Sequence, residues 1–145
     1  MTTIGSSLGR CHLLAPLTLT TIAAGPPDER RILYVHDDDT FRLESGERIR
    51  IARIDAPETD PRQAKCSGEV ALGNAAGERA RALIDRRDVT LVRVARSYKR
   101  TVARVTFDGR DLVTQLVEMG VARLRPREVA RPDWCGPNVR DEGVT

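Results

Sequence analysis

Aromatic residues make up only 3% of the 145-residue chain: one Trp, two Tyr and two Phe. A core built mainly of rings is excluded, so aliphatic strands and one or two amphipathic helices must supply most of the burial. Lysine is scarce too: of 24 basic residues, only Lys65 and Lys99 are not arginine. Arginine's planar fork suits phosphate, although codon bias in a GC-rich genome gives the same skew. No run approaches the roughly 20 apolar residues of a membrane-spanning helix. The three cysteines, Cys11, Cys66 and Cys135, show no CxxC or Cys/His spacing, which argues against a zinc module.

What remains is a folded domain. The charged fraction is 31% but mixed in sign, and 40% of residues are hydrophobic, so a disordered tail is excluded. A net charge of +3 and a pI near 9.0 lean towards a polyanionic partner. The odd cysteine count leaves at least one thiol unpaired. Cys66 and Cys135 can staple the start of a helix to the C-terminal segment, or both can be reduced, half-buried thiols.

Residues 1–30 read as an N-terminal extension and linker. Arg10 precedes the mildly apolar "CHLLAPLTLTTIAAG", a weak leader interrupted by Pro16 and three threonines. "AAGPPDERR" is the linker, and the domain is expected over 31–135, followed by a tail at 136–145.

"ILYVHD" and "TFRLES" are strand-like runs flanking the turn Asp37–Asp38–Asp39. Asp39 shares parity with Phe41 and Leu43, at the rim of the core-facing side. In "RIRIARID", Ile49 and Ile51 mark one face and Ile54 the other, so a β-bulge is expected around Ala52 and Arg53. A helix is expected from about Ser67 to Arg86, with Ser67 as N-cap and Leu72, Ala75, Ala76, Ala80, Leu83 and Ile84 on one stripe. Gly73 and Gly77 weaken it by about 1 kcal/mol each, so packing must compensate. "VTLVRVAR" and "VARVTF" give two more strands, closed by the Asp108–Gly109 turn. Asp111 is expected to cap a short helix ending at Gly120. The fold class is mainly β with α: a five-stranded OB-fold Greek-key barrel with a long inserted helix and a short second helix.

Asp39 and Asp55 each end a strand, and Ala56–Pro57 turns the chain after Asp55. Two carboxylates and a freed carbonyl are hard oxygen ligands suited to Ca²⁺ or Mg²⁺. Glu58 can serve as a ligand or as a base aimed at water, and Arg50 and Arg100 are bidentate phosphate donors. Each element alone has a plain structural alternative: a solvated hairpin, a cross-strand arginine, a turn-favouring glutamate.

The ordered set "VHDDDTFRL…RIRIARIDAPE…ERARALI…VTLVRVARSYKRTVARVTFDGRDL…LVEMGVA" resembles the thermonuclease, or staphylococcal-nuclease-like, family over roughly Leu33 to Ala122. That family has Asp-Gly-Asp-Thr after its first strand, an arginine five residues before Asp-x-Pro-Glu, and Tyr-Gly-Arg between two later strands. The resemblance implies Asp39, Asp55 and the Ala56 carbonyl as calcium ligands, with Asp37 as an outer carboxylate. It implies Glu58 as general base, Arg50 and Arg100 as catalytic arginines, and Tyr98 as a nucleotide contact. Lys99, in place of the family glycine, adds a phosphate-binding charge. Asp38 also replaces a family glycine, and substrate contacts beyond Ala122 do not carry over.

The implied activity is Ca²⁺-dependent hydrolysis of DNA and/or RNA with low sequence specificity, leaving 3′-phosphate ends. The alternative is a non-catalytic nucleic-acid-binding module of the same fold. A module free of catalytic selection loses some of Asp39, Arg50, Asp55, Glu58 and Arg100, and all five are present. A monomer with no membrane association is expected. Family habit points to a secreted or periplasmic protein, and a non-functional leader would instead leave it in the cytoplasm.

Overall fold

The computed structural model describes residues 25–126 and 128–136. Its elements run β1 (Asp28–Asp37), β2 (Thr40–Leu43), β3 (Arg48–Ile51), β4 (Ile54–Asp55), α1 (Ser67–Ile84), β5 (Asp88–Ser97), β6 (Arg100–Phe107), β7 (Arg110–Asp111), α2 (Leu112–Glu118) and β8 (Arg123–Leu124). The first two strands meet at a two-residue turn, Asp38–Asp39, across the Asp37↔Thr40 pair. Pairing with β5 begins at Asp28, ahead of the expected opening at Arg31.

Strands follow the order β3-β2-β1-β5-β6, and a parallel β3–β6 pairing (Ile49↔Thr101, Ile51↔Ala103) closes the barrel. This is the expected five-stranded OB-type barrel, with β7 added at its edge. Closure removes the exposed edges that an open sheet of this size would carry. Period-two alternation sends Phe41, Leu43, Ile49, Ile51, Leu91 and Val105 into the interior, each at most 1% exposed. Each such side chain contributes roughly 1.5–3 kcal/mol of hydrophobic stabilisation.

Helix α1 closes one side with Ala76, Ala80 and Ile84. It ends at Ile84 rather than Arg86, because Arg86 already has a left-handed φ of 56°. The expected cap also shifts. Cys66, not Ser67, is the N-cap, and its sulfur accepts from the Glu69 amide at 3.3 Å. The α2 N-cap is Asp111, but its carboxylate caps no backbone amide and instead accepts from Thr114 Oγ1 at 3.2 Å.

The phase change at Ala52–Arg53 is a turn rather than a bulge. Arg53 takes φ 67°, ending β3 and starting β4. The turn redirects the chain so that β4 pairs with β8 (Ile54↔Leu124, Asp55↔Arg123), a strand absent from the sequence reading. The turn thereby brings Asp55 against the C-terminal segment, where it meets Arg125, Arg131 and Trp134.

Candidate active site

A cavity of about 510 Å³ opens where the β1–β2 turn, β3, the segment after β4 and the start of β6 converge. Asp39, Asp55, Ala56, Glu58, Arg50 and Arg100 all line it. Those are the three catalytic and three metal-ligand positions expected from sequence.

Asp39 is 8% exposed at the turn tip. Its Oδ1 accepts from Thr40 Oγ1 at 2.7 Å, and its Oδ2 lies 2.6 Å from Arg50 NH1. Burial pushes its carboxyl up to about 6, with the Arg50 guanidinium opposing and Asp37 adding to the rise. The neighbouring Asp38 is 2% exposed, and its Oδ2 has no hydrogen-bond partner among the described residues. Burial, followed by the charge of Asp39, pushes Asp38 up to about 8. Asp38 does not adopt a positive φ, so an aspartate fits the turn where the family pattern has glycine.

Asp55, 4% exposed, accepts from Arg125 NH1 at 3.0 Å on Oδ1. Its Oδ2 accepts from Arg131 Nε at 3.3 Å and from Trp134 Nε1 at 3.0 Å. A carboxylate taken out of water needs such partners, since an unpaired buried charge is strongly unfavourable.

Glu58 is fixed from both sides. Its Oε1 accepts the amides of Thr59 (2.9 Å) and Asp60 (3.1 Å), and its own amide donates to Glu69 Oε1 at 3.2 Å. Glu69 is 1% exposed and also accepts from the Lys65 amide (2.8 Å) and Arg131 NH2 (3.0 Å). It thus ties both ends of the loop bearing Glu58 to the first turn of α1. The sequence reading missed Glu69. Its signal was the Cys66-x-x-Glu69 spacing of a capping box, hidden because cysteine is an unusual cap.

Arg100 opens β6 and lines the cavity without an ion pair among the described residues. Tyr98 and Lys99 behave differently. Tyr98 has φ 55° at the tip of the β5–β6 hairpin, is 97% exposed and does not line the cavity, and neither does Lys99. The structure therefore leaves both expected substrate-binding residues outside the cavity. They lie at the β5–β6 hairpin tip, immediately before Arg100.

Do these residues suit a hard divalent cation? Two carboxylates and a peptide carbonyl are the right donor chemistry. The orphaned Asp38 Oδ2 beside them is a buried acceptor of the kind that an ion or water satisfies. Among the described residues, no three His, Cys, Asp or Glu side chains gather at ligand spacing. The donor set fits.

Cys66 and Cys135 are disulfide-bonded, with Cα atoms 6.1 Å apart across a sequence separation of 69. The bridge fastens the segment carrying Arg131 and Trp134 to the N-terminus of α1. Among the described residues, no helix is long and apolar enough to cross a membrane.

No curated protein matches the chain. The family model described as staphylococcal nuclease homologue matches residues 48–133. The match spans Arg50, Asp55, Glu58 and Arg100 and begins after the Asp38–Asp39 turn. With more than half of its length matched and a closed barrel of the expected type, this chain belongs to the staphylococcal nuclease homologue family.

Proposed function

We propose that this protein is a Ca²⁺-dependent phosphodiester hydrolase acting on DNA and/or RNA with low sequence specificity. The observation that carries the reading is the convergence of Asp39, Asp55, Glu58, Arg50 and Arg100 on one cavity. Asp39, Asp55 and the Ala56 carbonyl are the residues that would hold calcium. When bound, the ion supplies positive charge to the phosphoryl oxygens as negative charge builds there.

The remaining chemistry belongs to the chain. Glu58, with Oε1 held by two backbone amides, is the base that takes a proton from the attacking water. Arg50, anchored through NH1 on Asp39, keeps its other donors for a phosphate oxygen. Arg100 faces the same space and stabilises the leaving 5′ oxygen, which yields a 3′-phosphate product. Tyr98 and Lys99, at the hairpin tip, contact the strand as it enters. The Cys66–Cys135 bridge supports an oxidising compartment, periplasmic or extracellular, for the folded protein.

The test is incubation of the full chain with single-stranded and duplex DNA, in Ca²⁺ or in a chelator. Cutting in Ca²⁺ alone is expected. Binding without cutting under either condition would select the non-catalytic nucleic-acid-binding module.

A further inference from the structure

The cavity holds two guanidinium groups that the catalytic set does not use. Arg125 and Arg131 line the same cavity as Arg50 and Arg100, and both come from the segment after β8. Their placement is built rather than incidental. Asp55 Oδ1 accepts from Arg125 NH1 at 3.0 Å, and Asp55 Oδ2 accepts from Arg131 Nε at 3.3 Å. Arg131 NH2 reaches Glu69 Oε1 at 3.0 Å, and Trp134 Nε1 locks Asp55 Oδ2 at 3.0 Å. The segment is held by the Arg125 amide on the Arg53 carbonyl at 2.8 Å and by the Cys66–Cys135 bridge.

Two carboxylates, 4% and 1% exposed, thus orient two cavity-lining arginines whose side chains remain 37% and 31% exposed. Arg125 spends one nitrogen on Asp55, and its Nε and NH2 make no hydrogen bond among the described residues. An arginine that is fixed in place, partly exposed and holding free donors has the form of a phosphate receptor.

We infer that Arg125 and Arg131 form a second phosphate subsite, which takes a backbone phosphate neighbouring the one faced by Arg50 and Arg100. The ligand class is a polynucleotide strand with at least two successive phosphodiesters. Asp55 and Glu69 act as positioning residues for this subsite in the calcium-free protein, the state in which it is tested. The inference rests on the nucleic-acid reading above and deepens it.

The test uses the disulfide-bonded full chain and a fluorescently labelled oligothymidylate, with a chelator present so that no strand is cut. Affinity is followed by anisotropy across a salt series. Each phosphate contact on single-stranded DNA adds about 0.7 to the steepness of log K against log salt. Arg125→Gln should therefore flatten the slope by about 0.7 and weaken binding about fivefold near 0.1 M salt. Arg131→Gln should do the same and also lower the melting temperature, because Glu69 and Asp55 lose a buried counter-charge. If that variant does not fold, Arg125→Gln decides alone.

Arg110→Gln removes the same charge at a surface site paired with Glu118, outside the cavity, and should change the slope less. Equal slopes for Arg125→Gln and Arg110→Gln would reduce the effect to net charge and overturn the subsite. A wild-type protein that binds and cuts DNA, with an Arg125→Gln slope unchanged from it, would overturn the subsite and leave the nuclease intact. A wild-type protein that binds no oligonucleotide would remove both.

Discussion

Gly73 makes room for Glu58: a Cβ on residue 73 would lie 2.8 Å from the Pro57 carbonyl oxygen and 2.9 Å from that of Glu58. Helix α1 and the loop bearing the candidate base touch backbone to backbone at this point. A mid-helix glycine is unfavourable by about 1 kcal/mol relative to alanine, and the close approach supplies its reason. Gly73→Ala should therefore destabilise the protein by about 1–3 kcal/mol despite alanine's higher helix propensity. It should also lower nuclease turnover by moving Glu58. Thermal melts that show a stabilised variant with full activity would contradict this packing.

The role of Glu58 has a direct test. With two amides on Oε1 and its own amide on Glu69, the residue is positioned by backbone contacts that a glutamine side chain can largely keep. Glu58→Gln should retain the fold and oligonucleotide affinity but reduce turnover by at least about 10²-fold, the usual scale for a lost general base. Circular dichroism, anisotropy and a calcium-supported cleavage assay give the three readouts. Unchanged turnover would remove Glu58 from the mechanism.

The bridge between Cys66 and Cys135 closes a long loop and fastens the Arg131–Trp134 segment. In the loop-entropy picture, its loss should cost about 4 kcal/mol, measured as the shift in denaturation midpoint of Cys135→Ser. Thiol titration of the denatured, non-reduced chain should find one reactive thiol, Cys11. Three reactive thiols would exclude the bridge.

At the β2–β3 turn, Glu47 accepts three hydrogen bonds from two residues. It accepts from Arg93 NH2 at 2.7 Å, Arg93 Nε at 3.1 Å and Thr101 Oγ1 at 2.7 Å. The hydrogen bonds from Arg93 hold its carboxyl below its usual value of 4.5. A carboxylate lowered in the folded state stabilises it above the unfolded value, and that stability is lost as pH falls through the folded value. Glu47→Gln should thus cost about 1 kcal/mol at neutral pH. The difference from wild type should shrink as the pH falls below 4.5. A gap independent of pH would mean that packing, not charge, carries the effect.

Much of the site was legible because its chemistry sits in local order. Asp39 follows a strand by one tight turn, Arg50 precedes Asp55 by five residues, and Glu58 follows the Ala56–Pro57 turn, so short-range geometry brings them near one another. Alternation along Phe41–Leu43 and Ile49–Ile51 likewise sets which side chains face the barrel interior, because side-chain direction in a strand is fixed by its pleat. Tyr98 and Lys99 were assigned by pattern. The left-handed turn at Tyr98 keeps them at the hairpin tip and out of the cavity, and pattern alone does not report a backbone angle.

The sequence by itself determined the strand runs and the inserted helix through periodicity. The acid–arginine set, with Arg100 far along the chain from Arg50, was legible only through the ordered motifs of the family resemblance. Only the tertiary structure decided what surrounds Asp55. Trp134 Nε1 meets it across 79 residues, Arg131 across 76 and Arg125 across 70. No local rule couples residues so far apart. Their meeting depends on the Arg53 turn, the β4–β8 pairing and the Cys66–Cys135 bridge acting together, and each of these exists only once the chain has closed on itself.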